Sequence, residues 1–242
     1  ISEGGAESTL EKLVSDSHRH AVGVSEDLRD GIRESIELLA NEVISQRQVA
    51  KLGVYNGVVD PRDLTQQCLR YLYRLVFLLF AETRSELGVL PVDYPEYAEG
   101  YGLDRLRDLA LVELQSEAAI QGTHIQESLE LLFELINEGY NSEGSQGSLT
   151  AETESQISLT FQPLKSDLFA PSSTPLLNVR LSNGVLQQVL ALLMLSRERR
   201  GRIREFVSYA NLGINQLGAV YEGLMAYSGF FAEEDLFELA PG

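Results

Sequence analysis

Residues 60–85, DPRDLTQQCLRYLYRLVFLLFAETRS, decide the class of this fold. Asp60 is a good N-cap, Pro61 suits the first helical position, and Asp63 places a negative charge near the positive helix end. Leu64, Cys68, Leu72, Leu75 and Leu79 then recur at three- and four-residue steps, and Val76 and Phe80 widen the stripe. A stripe this wide predicts a helix to about Ser85 that is covered on most sides, the central helix of a multi-helix domain. At ~1.5 Å per residue its most apolar part, residues 71–81, reaches about 16 Å, too short for a bilayer. Tyr71, Tyr73 and Phe77 read as core aromatics rather than ligand-stacking residues. Glu82 and Arg84 read as ion-pairing residues at its end.

Helical spacing continues on both sides. Upstream, Ser25 followed by Glu26 and Asp27 predicts a helix start, and Leu28, Ile32, Ile36, Leu39 and Val43 give one apolar face. Downstream, Gly88 and Pro91 break the chain before a loop rich in Tyr and Pro. Leu103, Leu106, Leu109, Ala110 and Leu114 suggest another helix. Thr123 with Gln126 reads as a capping box opening a helix through Leu129, Leu132, Phe133 and Ile136 to Gly139. Residues 140–156 are rich in Ser, Gly and Glu and read as a flexible surface loop. Ile157, Leu159 and Phe161 alternate with polar residues, a short strand ended by Pro163. Leu186, Val189, Leu190, Leu193 and Met194 form a helix capped near Ser182 or Asn183, residues 206–209 read as a short strand, and a last helix covers about 214–227. The expected fold is mainly α, a multi-helix domain with one or two short β segments. Its parts are a polar segment 1–24, a helical core 25–139, the loop 140–156 and a second helical part 157–242.

Composition narrows the function. The 242 residues are 44% apolar and 23% charged, as in globular domains. The chain opens on Ile1 with no signal-peptide pattern and contains one cysteine, Cys68, so a cytoplasmic excised or processed segment is expected. Net charge is −17, from 36 acidic against 19 basic residues. Such a surface repels phosphates, so no strong DNA binding by this segment alone is expected. No membrane partner is expected either, since the most apolar run is too short to cross a bilayer. Five arginines (Arg197, Arg199, Arg200, Arg202 and Arg204) form the one basic cluster. They are either a phosphate contact or basic residues at a helix C-terminus, and the second reading is favoured.

Catalytic signatures are missing. There is no Gly-Lys pair for a phosphate loop, no GxSxG elbow and no HExxH helix. No lysine follows an acid at the spacing of PD-(D/E)xK nucleases, and no Pro-Pro turn could hold a target amine for methylation. His18 and His20 project about 200° apart on a helix, a poor metal pair. No catalytic, cofactor-binding or metal residue is therefore assigned. The helix around Tyr221 and Glu222 stands out instead: Leu217, Val220 and Leu224 give a buried stripe, while Gly218 and Gly223 suggest close approach of another backbone or a ligand.

The phrase LGAVYEGLMAY, residues 217–227, resembles the helix that introduces the methyltransferase domain of large N6-adenine DNA methyltransferases. These include fused Type IIG restriction–modification enzymes and phage-defence methylases of the BREX and DISARM kind. Residues 71–91, YLYRLVFLLFAETRSELGVLP, resemble the same proteins, as do SDLFAP at 166–171 and LSNGVLQQVL at 181–190. The order of these segments matches as well. The resemblance implies a non-catalytic helical connector or scaffold domain, with Leu217, Gly218, Tyr221 and Glu222 at the interface to a methyltransferase domain of the same chain. It also implies S-adenosylmethionine as cofactor of the parent protein, whose binding and Asn-Pro-Pro-Tyr motifs would follow residue 242. DNA would be reached through the parent, with or without a fused endonuclease. The alternative is a free-standing acidic helical module that docks a protein partner.

Overall fold

The computed structural model describes residues 9–55, 57–141, 159–196 and 204–231, with no side-chain description for residues 9–26, Asp104, Leu106 and Gly223. The chain is mainly helical, with one two-stranded sheet among the described residues. Its elements are α1 (Thr9–Val49), α2 (Pro61–Glu82), α3 (Pro95–Gly100), α4 (Asp104–Leu111), α5 (Glu117–Ile120), α6 (His124–Glu138), β1 (Tyr140–Asn141), β2 (Thr160–Phe161), α7 (Asn183–Met194) and α8 (Ile214–Met225). The strands pair antiparallel, Tyr140 opposite Phe161 and Asn141 opposite Thr160.

The central helix begins as its sequence dictates. Asp60 accepts from the Arg62 N–H at 2.7 Å, Pro61 opens α2, and the helix is buried on nearly every side from Leu64 to Ala81. It stops at Glu82, three residues before the expected end, and a single 3₁₀ turn, Ser85–Leu87, closes onto Gly88 at φ +62°. Only glycine takes that left-handed angle without steric cost.

Around α2, the helices α1, α7 and α8 form the main bundle. Leu28, Ile32, Leu39 and Val43 of α1 are buried in the shared core with Leu186, Val189 and Leu193 of α7 and Val220 and Leu224 of α8. Gly31 marks the closest approach: a Cβ there would lie 2.4 Å from the Leu192 carbonyl oxygen of α7. A carboxylate oxygen of Glu42 receives the Ser182 N–H at 3.1 Å, fixing the start of α7 against α1. On the other side α4, α5 and α6 pack against α7.

Several local expectations change. Helix α1 runs through Ser25 to Thr9, so Ser25 is not an N-cap and the polar segment 1–24 is helical from Thr9. No proline interrupts the chain there, and a serine caps a helix only where the helix already ends. Thr123 and Gln126 do not form a capping box, because the Gln126 amide is drawn to Val179 O and Leu181 N, both at 2.8 Å, while the Thr123 hydroxyl donates to Glu127. Asn183, from α7, takes over the capping and accepts from the Ile125 N–H at 3.1 Å. Residues 206–209 are not a strand. Only a single bridge, Leu195 to Phe206, forms before a 3₁₀ turn at Tyr209–Asn211. The helix sought through Leu114 ends at Leu111, with α5 following separately.

The short strand is borne out at Thr160–Phe161. Its partner is Tyr140–Asn141, so the first two residues expected in the loop are paired strand instead. Ile157 and residues 142–156 lie outside the described residues. No described helix is long and apolar enough to cross a membrane.

Candidate interdomain face

Helix α8 is capped by its own residues and held by α2 and the residues that follow it. Gly213 opens it, and the Gln216 side chain reaches back to the Gly213 N–H at 2.7 Å. The Tyr73 hydroxyl of α2 donates to the Leu217 carbonyl at 3.1 Å. Just before the helix, Arg84 donates to the carbonyls of Leu212 and Ala210 while its guanidinium lies 4.8 Å from the Phe80 ring centre. The end of α2 therefore sets where α8 begins. Arg84 also pairs with Glu86 at 3.5 Å, and Glu82 accepts from the Tyr97 hydroxyl and the Leu103 N–H at 2.7 and 2.6 Å. Both residues fasten loops, and Arg84 also forms an ion pair.

With that anchoring, α8 divides into two faces. Leu217, Val220 and Leu224 face the core. Ile214, Gly218, Tyr221 and Met225, spaced four, three and four apart, share the outer face. Ile214 is 66% exposed, Tyr221 39% and Met225 49%, and Glu222 is also exposed. A Cβ added at Gly218 would meet nothing within 4 Å. The close backbone approach expected at Gly218 does not exist within the described residues, and among the described glycines the tightest such approach is at Gly31.

Tyr221 belongs to both environments. Its ring meets Tyr73 edge to face, with centroids 4.4 Å apart, and the remainder of it is solvent-facing. Burial, and the neighbouring Tyr221 phenol after it, push the Tyr73 hydroxyl up to about 12, so it stays a donor at neutral pH. Tyr221 and Met225 also border a groove of about 480 Å³ that runs between α2 and residues 167–173. Of the four predicted interface residues, the structure exposes Gly218, Tyr221 and Glu222 and buries Leu217. Sequence spacing did not single out Ile214 and Met225, although both fall on the same helical stripe.

The arginine cluster is described only at Arg204. Its guanidinium donates to Ser196 O at 3.0 Å and to Ala191 O at 3.4 Å, so it serves carbonyls at the C-terminal end of α7. Arg197, Arg199, Arg200 and Arg202 lie outside the described residues. Tyr71 is core, meeting Phe133 edge to face, and Phe77 packs against Phe169. No family model, no curated protein and no solved structure matches this chain.

Proposed function

We propose that this chain is a non-catalytic helical connector of a SAM-dependent, adenine-specific DNA methyltransferase, with or without a fused endonuclease, acting in the cytoplasm. The observation that carries the reading is the outer face of α8. An apolar stripe of Ile214, Tyr221 and Met225, opened at Gly218, lies on the helix whose sequence resembles the entrance to a methyltransferase domain. Large apolar side chains left exposed along one helix suit a partner surface better than water. In this reading the stripe seats the methyltransferase domain of the same chain, and the remaining helices hold that domain at a fixed orientation. S-adenosylmethionine and DNA would both be bound by the parent outside this segment. The parent would flip the adenine from the duplex to reach it.

The gene provides the first test. The reading frame downstream of residue 242 should encode a glycine-rich SAM loop and then Asn-Pro-Pro-Tyr; a frame without them overturns the proposal. The second test is physical. Ile214→Asp with Met225→Asp should leave the isolated chain folded, because both positions are exposed, yet separate it from the methyltransferase domain when the two are co-expressed. Calorimetry of the isolated chain with SAM should show no binding. A stable partner unrelated to DNA modification, captured on the same face and lost in the double variant, would establish the alternative of a free-standing acidic interaction module.

A further inference from the structure

A cleft of about 710 Å³ lies between α6 and residues 171–178, within the size range of small-molecule sites. Aromatic rings line it: Phe133 meets Tyr71 at 5.6 Å and Phe169 at 5.8 Å between centroids. Along its α6 side run Glu130, Glu134 and Glu138, each four residues from the next and so on one ridge of the helix. Glu130 accepts from Gln126 at 2.8 Å and Glu138 from Asn137 at 2.7 Å, which steadies both carboxylates.

An acidic ridge on a chain of charge −17 is by itself a solvated helix face. Tyr71 adds an independent observation. The residue is 3% exposed, lines the same cleft, and its hydroxyl has no hydrogen-bond partner among the described residues. Phenylalanine would pack the same way without a buried polar atom left unsatisfied. Burial, then the charge of Glu130, raises the phenol far above its ordinary range. It therefore remains a neutral hydroxyl, able to accept an N–H.

Among the described residues Arg74 is the one basic side chain lining the cleft, and it is already committed. It donates to Leu168 O at 2.6 Å, to Ala170 O at 3.0 Å and to the Ser173 hydroxyl at 2.7 Å, with its guanidinium 5.2 Å from the Phe133 ring centre. Three carboxylates against one tethered guanidinium leave the lining negative. Among the described residues no group of three or more His, Cys, Asp or Glu is placed to hold a metal ion. Aromatic walls with carboxylates suit an organic cation instead.

We infer that this cleft binds a small organic cation, an amine or a guanidine, whose N–H groups meet the Glu130–Glu134–Glu138 ridge and the Tyr71 hydroxyl. The site is independent of the methyltransferase reading and stands or falls separately from it. The test is calorimetry of the whole chain with spermidine and with agmatine, at about 0.05 M and about 0.15 M salt. Saturable one-to-one binding of either compound that survives the higher salt is expected, and the preferred one assigns amine or guanidine. Tyr71→Phe should weaken it roughly tenfold, the loss of one hydrogen bond to a charged group. That variant removes only an unpartnered hydroxyl, so without ligand its melting temperature should be unchanged or higher. Glu130→Gln with Glu134→Gln should weaken binding roughly tenfold or more. Glu96→Gln with Glu99→Gln, which removes the same charge from an exposed site elsewhere, should leave it within about twofold. Absence of saturable binding, loss of binding at the higher salt, equal losses in the two glutamate pairs, or unchanged affinity in Tyr71→Phe would each overturn the site.

Discussion

Asn183 is fully buried and connects three segments through one amide. Its oxygen accepts from the Ile125 N–H, and its nitrogen donates to Ala119 O at 2.9 Å and lies 2.7 Å from Nδ1 of His124. Removing it strands an N–H and a carbonyl together, so Asn183→Ala should cost about 3 kcal/mol, read as a lower urea midpoint. A change under about 0.5 kcal/mol would mean that the α6 N-terminus is capped from elsewhere. Cys68 carries a different prediction. Burial pushes its thiol from 9.0 up to about 12, and burial also raises Tyr71, Tyr73 and Tyr209. Groups with raised folded values stabilise fully below their unfolded values and lose that contribution as pH climbs through the folded ones. Stability should therefore hold up to about pH 9 and fall from there towards pH 12, with Cys68 beginning the decline. Cys68→Ala should delay the onset to about pH 10, where the tyrosines take over. Melting temperatures that stay level across that window would contradict the assignment.

Among the helices, two glycines exchange the roles their sequence contexts suggest. Gly218 sits in the phrase that draws attention, yet it faces open space, so the helix carries a flexible residue that its own packing does not require. Gly31 lies between Leu28 and Ile32 on α1 with no glycine-specific signal in its context, yet a methyl group there would collide with the backbone of α7. Gly31→Ala should destabilise by about 1–3 kcal/mol, because the Leu192 carbonyl belongs to a helix and can yield only if α1 and α7 separate. Gly218→Ala should stabilise the isolated chain by up to about 1 kcal/mol through helix propensity. Denaturant titration of the two variants distinguishes them by sign, and a gain at Gly31 or a loss at Gly218 would reverse the packing described for each. Sequence could not separate these glycines. Periodicity reports which face of a helix is apolar, and closeness between helices depends on which partner that face meets.

For the molecule as a whole, the excess of acid sets its dealings with polyanions. With net charge −17 the isolated chain should not retain duplex DNA in a gel-shift assay at about 0.15 M salt, and retention there would locate a DNA-gripping surface within this segment. Much of the architecture was legible beforehand. Asp60–Pro61 announced α2, its broad stripe announced a central helix, and the spacing of Leu217, Val220 and Leu224 announced the buried side of α8. Those signals are local, since a cap, a proline or a 3.6-residue period acts within one or two turns. The site was legible only as far as such signals reach. Tyr221 and Glu222 emerge from the sequence, but the outer stripe with Ile214 and Met225 is defined by what α2 leaves uncovered. The amino-acid sequence by itself determined the helical class, the central helix and the acidic surface. Only the tertiary structure decided that Asn183 caps α6, that Gly31 and not Gly218 admits a neighbouring backbone, and that Tyr71 meets the glutamates of α6 in one cleft. Each of those depends on groups far apart in the chain, and their meeting is set by how the helices pack rather than by any local preference.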